Sequence, residues 1–172
     1  MAGKYHAKLD ADMTNSQNGE RGDAVSLCGI IDEKTHRLIA RVYFADTDFS
    51  GAVYHGRYLE FLERGRSDFL RCIGVHHSDL LNNDEGALFW VVRRMELDFK
   101  ASASIDDILQ IETQLTFVGG ARCMMSQKIL RGDDVLIEAE VTAALINNEG
   151  KPRRFPQNWK ESFGALVVSD SD

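Results

Sequence analysis

The sequence predicts an α+β fold: one strand, one long helix, then a meander of four strands curling around that helix. Three observations carry this reading. Apolar residues within 56–73 recur at spacings of three and four, the period of one helix face. From residue 89 onward the period becomes two, as in half-buried antiparallel strands. Between the two patterns lies RVYFADTDFSGAVYHGRY, residues 41–58, where an apolar run meets carboxylates and a small-residue turn.

The 172 residues fit one domain with a real core. A net charge of -7 weighs against a nucleic-acid binder that relies on a broad basic surface. It leaves room for a small basic patch that grips an anionic ligand. Cys28, Cys72 and Cys123 are odd in number and lack metal-ligand spacing, so they read as reduced thiols. No run approaches the ~18 apolar residues of a membrane helix, and the first 24 residues lack the apolar core of a secretory signal. The expectation is a cytoplasmic protein with no membrane insertion and no nucleic-acid partner.

Taken in order, residues 1–30 read as a flexible polar tail, 31–160 as the folded domain and 161–172 as a C-terminal tail. The apolar patch 24–31 reads as an added strand or a docking segment. A strand follows over 37–45, a loop over 46–53, and a helix over 56–73. Tyr58, Leu62, Gly65, Phe69 and Cys72 form its apolar stripe, and Glu60, Glu63, Arg64, Arg66, Asp68 and Arg71 mostly fill the remaining surface. Gly65 costs about 1 kcal/mol of helix propensity, so the stripe predicts close approach of backbone to whatever it covers. Gly74 suits the C-cap.

Strands follow over 89–99, 107–118, 121–130 and 135–146, the third bracketed by the turn signals Gly119-Gly120 and Gly132-Asp133. A short helix is expected over 156–165. Together these give a five-stranded antiparallel sheet wrapped around one long helix. Such a sheet leaves edges to cover, and pairing with a second copy is the common remedy. A homodimer is therefore expected.

Phe44, Asp46, Asp48, Gly51, Val53, Tyr54, His55 and Tyr58 stand in the register of a known pattern: an aromatic, Asp-x-Asp, Gly-x-Val, Tyr-His, then an aromatic helix face. With the strand–loop–helix–meander order, this stretch resembles the hotdog-fold acyl-CoA thioesterases. The nearest likeness is to the 4-hydroxybenzoyl-CoA thioesterase group, and in it the branch associated with the Tol–Pal system. The likeness runs to Lys151-Pro152-Arg153-Arg154 and covers about residues 37–158. It departs at Ala101-Ser102-Ala103, where relatives commonly carry Lys-Pro-Ala. The resemblance implies a hotdog fold, an acyl-CoA substrate, hydrolysis without a metal or other cofactor, and dimers that associate into dimers of dimers.

The resemblance assigns catalysis to Asp48, as nucleophile or as general base for water, and the oxyanion contact to the His55 backbone N–H. Elementary chemistry agrees in kind. A CoA thiol with a pKa near ~8.5 leaves as thiolate, so the site needs one carboxylate and a polarised carbonyl. The first N–H groups of a helix lack intrahelical partners and sit at its positive end. The plainer reading is that Asp48 caps the helix or a turn.

The His55 side chain either orients water or makes a structural hydrogen bond. Asp46 is expected to support the loop. Glu63 is the rival catalytic carboxylate, against the reading of a solvated helix face. Tyr54 and Tyr58 are candidates for an acyl pocket, or for the core. Lys151, Arg153 and Arg154 either hold CoA phosphates or form a solvated basic turn. Arg93 is expected at a subunit interface or facing ligand. A Gly-x-Ser-x-Gly elbow, a Walker A loop, a dinucleotide-binding glycine pattern and His-Glu-x-x-His are all missing from the sequence. The predicted activity is acyl-CoA thioester hydrolysis. The alternatives are a hotdog hydratase or dehydratase, and a non-catalytic acyl-CoA-binding scaffold.

Overall fold

The computed structural model describes residues 28–81 and 86–168; most of the expected N-terminal tail lies outside them. Strand β1 (Ile30–Asp32) and strand β2 (Thr35–Arg41) form a hairpin. A 3-10 turn (Phe44–Asp46) and a loop lead into helix α1 (His55–Cys72) and the short helix α2 (His77–Leu81). The meander is β3 (Leu88–Phe99), β4 (Ile108–Val118), β5 (Arg122–Arg131) and β6 (Asp134–Asn147), and helix α3 (Gln157–Leu166) closes the order.

The strands make one antiparallel sheet in the order β1-β2-β4-β5-β6-β3. It has six strands, where the sequence predicted five. The sixth, β1, is three residues long and too short to show a period. Asp68 of α1 helps to hold it down, accepting the Gly29 N–H at 2.6 Å and contacting His36 Nε2 at 2.9 Å. The expected strand 37–45 stops at Arg41, and Phe44 and Ala45 belong to the 3-10 turn. Folded structure also continues past residue 160, since Phe163 of α3 is fully buried.

Helix α1 buries Tyr58, Phe61, Leu62, Gly65, Phe69 and Leu70. Burying each large side chain contributes roughly 1.5–3 kcal/mol. The close approach expected at Gly65 is present: a Cβ there would lie 2.6 Å from Ile111 Cγ2 and 3.2 Å from Thr113 Oγ1. Cys72, expected on the apolar stripe, is exposed, and Arg66, expected among the surface charges, is buried. Gly74 follows the end of the helix, and its φ of +80° lets the Val75 N–H return to Leu70 O at 2.8 Å.

The first core group joins Val42, Tyr58, Leu62, Ile111 and Ile137 beneath the N-terminal half of α1. The second joins Phe69, Leu115, Met125, Leu145, Phe155 and Phe163 beneath the C-terminal half. The sheet edges are β1, with three residues, and β3, with twelve.

Candidate active site

The loop between the 3-10 turn and α1 is closed by its own backbone. Asp48 N–H donates to Ala52 O at 2.9 Å, Gly51 N–H to Asp48 O at 3.0 Å, and Tyr54 N–H to Asp46 O at 3.0 Å. Gly51 takes φ +81°, which favours glycine. The nearly buried Asp46 carboxylate accepts the Tyr43 N–H at 2.9 Å, so it serves the loop as expected. Because residues 44–46 turn rather than extend, Asp46 and Asp48 do not line one strand face.

Ala103 ties the loop to the helix. Its carbonyl accepts the Val53 N–H at 2.9 Å, and its own N–H donates to the Tyr58 hydroxyl oxygen at 2.7 Å. Burial keeps the Tyr58 phenol above its ordinary pKa, hence neutral. Tyr58 thus lies in the core and holds the residue 103 turn, while Tyr54 is half-exposed at the helix start.

The Asp48 carboxylate is exposed and is held on one side. Oδ1 accepts the Ser50 hydroxyl at 2.5 Å and the Ser50 N–H at 2.8 Å. These two bonds, the hydroxyl first, hold Asp48 below the usual carboxylate range, and the nearby His55 adds to the shift. His55 is the first residue of α1, and its ring packs against Tyr54 with centroids 4.3 Å apart. The arrangement puts an ionised carboxylate beside the positive end of an 18-residue helix. Such a pairing can attack, or deliver water to, an electrophilic carbon whose oxygen is received by backbone N–H groups.

Glu63 lies elsewhere. It sits eight residues, about 12 Å along the axis, beyond His55, and accepts the Ser67 hydroxyl at 2.6 Å. The basic residues lie at the far end of the sheet. Lys151 pairs with Glu149 at 2.8 Å, Arg153 N–H binds Leu145 O, and Arg154 is exposed. They adjoin an open hollow of about 550 Å³ lined by Arg93, Arg122 and Pro152. The reading from sequence missed Arg122; only its position just past the Gly119-Gly120 turn could have marked it.

A possible metal set, His36, Asp68 and Cys72, holds one nitrogen, one oxygen and one sulfur within 4.8 Å of one another. Its Asp68 oxygen already takes the Gly29 N–H, and His36 Nδ1 has no hydrogen-bond partner among the described residues. A ligating histidine normally has such a partner. The trio is better explained as the anchor of the β1–β2 hairpin.

Comparison with known proteins matches the thioesterase superfamily over residues 50–143. An acyl-CoA thioesterase YbgC of Haemophilus influenzae is 38% identical over 127 residues, covering 73% of this chain and 92% of that protein. An acyl-CoA thioester hydrolase YbgC of Escherichia coli is 36% identical over 129 residues, covering 74% and 94%. A probable thioesterase from Bartonella henselae, known by crystal structure, is 54% identical with a TM-score of 0.69. That likeness covers 71% of this chain and 99% of the other. The chain belongs to the thioesterase superfamily and has its hotdog fold. Within that class it is an acyl-CoA thioester hydrolase, releasing a carboxylic acid and CoA.

Proposed function

We propose that Asp48 is the catalytic carboxylate, attacking the thioester carbonyl directly or through a water it deprotonates. The carbonyl oxygen becomes the tetrahedral oxyanion and is received by the His55 N–H at the head of α1. Collapse expels CoA as thiolate, a leaving group that needs little acid assistance; on the direct route water then hydrolyses the Asp48–acyl anhydride, releasing the acid and restoring the carboxylate. The observation that carries this reading is the attachment of Asp48 to the helix start by a loop closed at both ends. Its ionised state at neutral pH follows from the Ser50 contacts. The His55 imidazole adds field and a water contact, and Tyr54 flanks the acyl group.

The CoA phosphates fall to the basic end of the sheet: Lys151, Arg153 and Arg154, joined by Arg93 and Arg122. In one chain this end cannot serve that chain's own Asp48. Strand β4 runs from the Asp48 loop, fixed by the Val42 N–H to Asp107 O bond, to the turn bearing Arg122. Eleven strand residues span roughly 34 Å. Strand β3 crosses the same distance and is an open edge.

Two copies paired antiparallel through β3 about a two-fold axis bring the basic end of each to the Asp48 end of the other. Each site is then shared across a homodimer. A further pairing into a dimer of dimers, working on cytoplasmic acyl-CoA, completes the proposal. No described helix is long and apolar enough to cross a membrane.

The test is free-thiol release from acetyl, short and long aliphatic, and aromatic CoA thioesters, with wild type beside Asp48→Asn. A folded Asp48→Asn protein is expected to lose roughly 10²–10⁴-fold in rate. Full activity in that variant would move the catalytic role from Asp48 to Glu63.

A further inference from the structure

A separate cavity of about 120 Å³ lies between the middle of α1 and the sheet, and Arg66 lines it. Arg66 is 9% exposed. Its Nη1 donates to Gln127 Oε1 at 2.8 Å, and no carboxylate comes within ion-pair distance of it among the described residues. Glu63, one turn earlier, is occupied by the Ser67 hydroxyl. Gln127 is fully engaged, since its Nε2 donates to Leu62 O at 3.0 Å and to Thr113 Oγ1 at 2.9 Å. A guanidinium carries five donors and stays charged. Buried charges are ordinarily paired, because desolvation of an unpaired one is costly.

Leu70, Trp90 and Met125 supply the apolar part of the cavity wall, and Glu63, Ser67 and His77 the polar part. A buried planar cation without a carboxylate partner, beside a wall that is apolar in part, calls for a ligand with one flat anionic end and a short apolar body. A carboxylate matches the guanidinium fork in geometry, whereas phosphate would bring more charge into apolar surroundings. By size, an apolar cavity near 150 Å³ holds benzene, so this one holds roughly five or six heavy atoms.

We propose that this cavity binds a short-chain monocarboxylate, with Arg66 gripping the carboxylate and Leu70, Trp90 and Met125 enclosing the hydrocarbon. That is the chemical class of acid that thioester hydrolysis releases, so the pocket provides a point at which product returns to the enzyme. The link to product rests on the hydrolase activity; the carboxylate site rests on Arg66 and the cavity alone. Glu63 at the cavity wall disfavours a second negative charge and so selects against dicarboxylates.

The experiment is a titration of the full-length ¹⁵N-labelled protein with butyrate, and with neutral butyramide of the same shape, following the Trp90 indole resonance. Butyrate is expected to shift it saturably, butyramide far more weakly, and Arg66→Gln to weaken butyrate by roughly tenfold or more. Arg66→Lys, which keeps the charge and loses the fork, should fall between. Absence of a saturable shift, equal binding of butyramide, or unchanged binding in folded Arg66→Gln would overturn the proposal. If neither variant folds, the wild-type comparison of butyrate with butyramide decides. The readout is binding, so its failure is distinct from any failure of Asp48→Asn to lose activity.

Discussion

Ser50 donates twice to a single oxygen of Asp48, by its hydroxyl at 2.5 Å and its N–H at 2.8 Å, and leaves Oδ2 outside that contact. The hydroxyl is the largest cause of the lowered Asp48 pKa. The active form in the proposed mechanism is the carboxylate, so activity is present above the Asp48 pKa and lost as pH falls through it. Ser50→Ala removes the hydroxyl and raises that pKa, so the acid limb of kcat/KM should move to higher pH. Ser50→Thr should restore the wild-type limb. The pH–rate profiles of the three proteins check this, and an unmoved limb in Ser50→Ala would show that Asp48 does not govern it. The same depression makes Asp48 stabilising above its unfolded-state pKa, an effect lost as pH falls through the folded value.

At Gly65 the backbone of α1 lies close against the sheet. An alanine there gains about 1 kcal/mol of helix propensity and places its Cβ 2.6 Å from Ile111 Cγ2. Overpacking of this kind typically costs about 1–3 kcal/mol, and Ile111 is itself fully buried and has little room to retreat. Gly65→Ala should therefore be net destabilising by roughly 1–2 kcal/mol, read as a lowered midpoint in urea. A raised midpoint would mean that the helix can lift off β4 without loss.

The glycine, the alternating strands and the Asp48–His55 stretch were legible in sequence because each is a local pattern. What escaped depends on partners distant in the chain. Arg66 looks like one more surface charge on α1 until Gln127, 61 residues away, is brought to it by β5. Arg122 joins Arg153 only because β5 starts where β6 ends. Phe44 and Ala45 read as strand from their apolar lead-in, yet the Asp46 side chain bonds the Tyr43 N–H and closes a turn. In the Ala101-Ser102-Ala103 turn, the backbone of Ala103, the position shared with Lys-Pro-Ala, bonds both Val53 and Tyr58.

If Arg93 and Arg122 hold the nucleotide phosphates of CoA, they should matter only for substrates that have them. Each lost charge-assisted hydrogen bond is worth roughly 1.5–3 kcal/mol. Arg122→Gln should then raise KM for an acyl-CoA by about tenfold or more. The same variant should leave hydrolysis of an acyl-N-acetylcysteamine thioester nearly unchanged, and its rate should depend less on salt. Equal losses on both substrates would point to a structural role, such as the contact of Arg122 with the Phe117 ring.

The opposite placement of Asp48 and the basic end yields a stricter test of the shared site. Asp48→Asn chains lack the carboxylate and keep the arginines; Arg93→Gln/Arg122→Gln chains lack the arginines and keep the carboxylate. In a dimer joined through β3, a hybrid of the two holds one site with both defects and one with neither. Random mixing makes about half of the dimers hybrids, so about one quarter of the wild-type sites should return. Denaturing and refolding the two variants together, then measuring kcat/KM on an acyl-CoA, reads this directly. Were each site built within one chain, mixing would give only the average of two impaired proteins, because no hybrid would contain an intact site. Recovery that appears only after subunit exchange would place the carboxylate and the phosphate-binding arginines of each site on different chains.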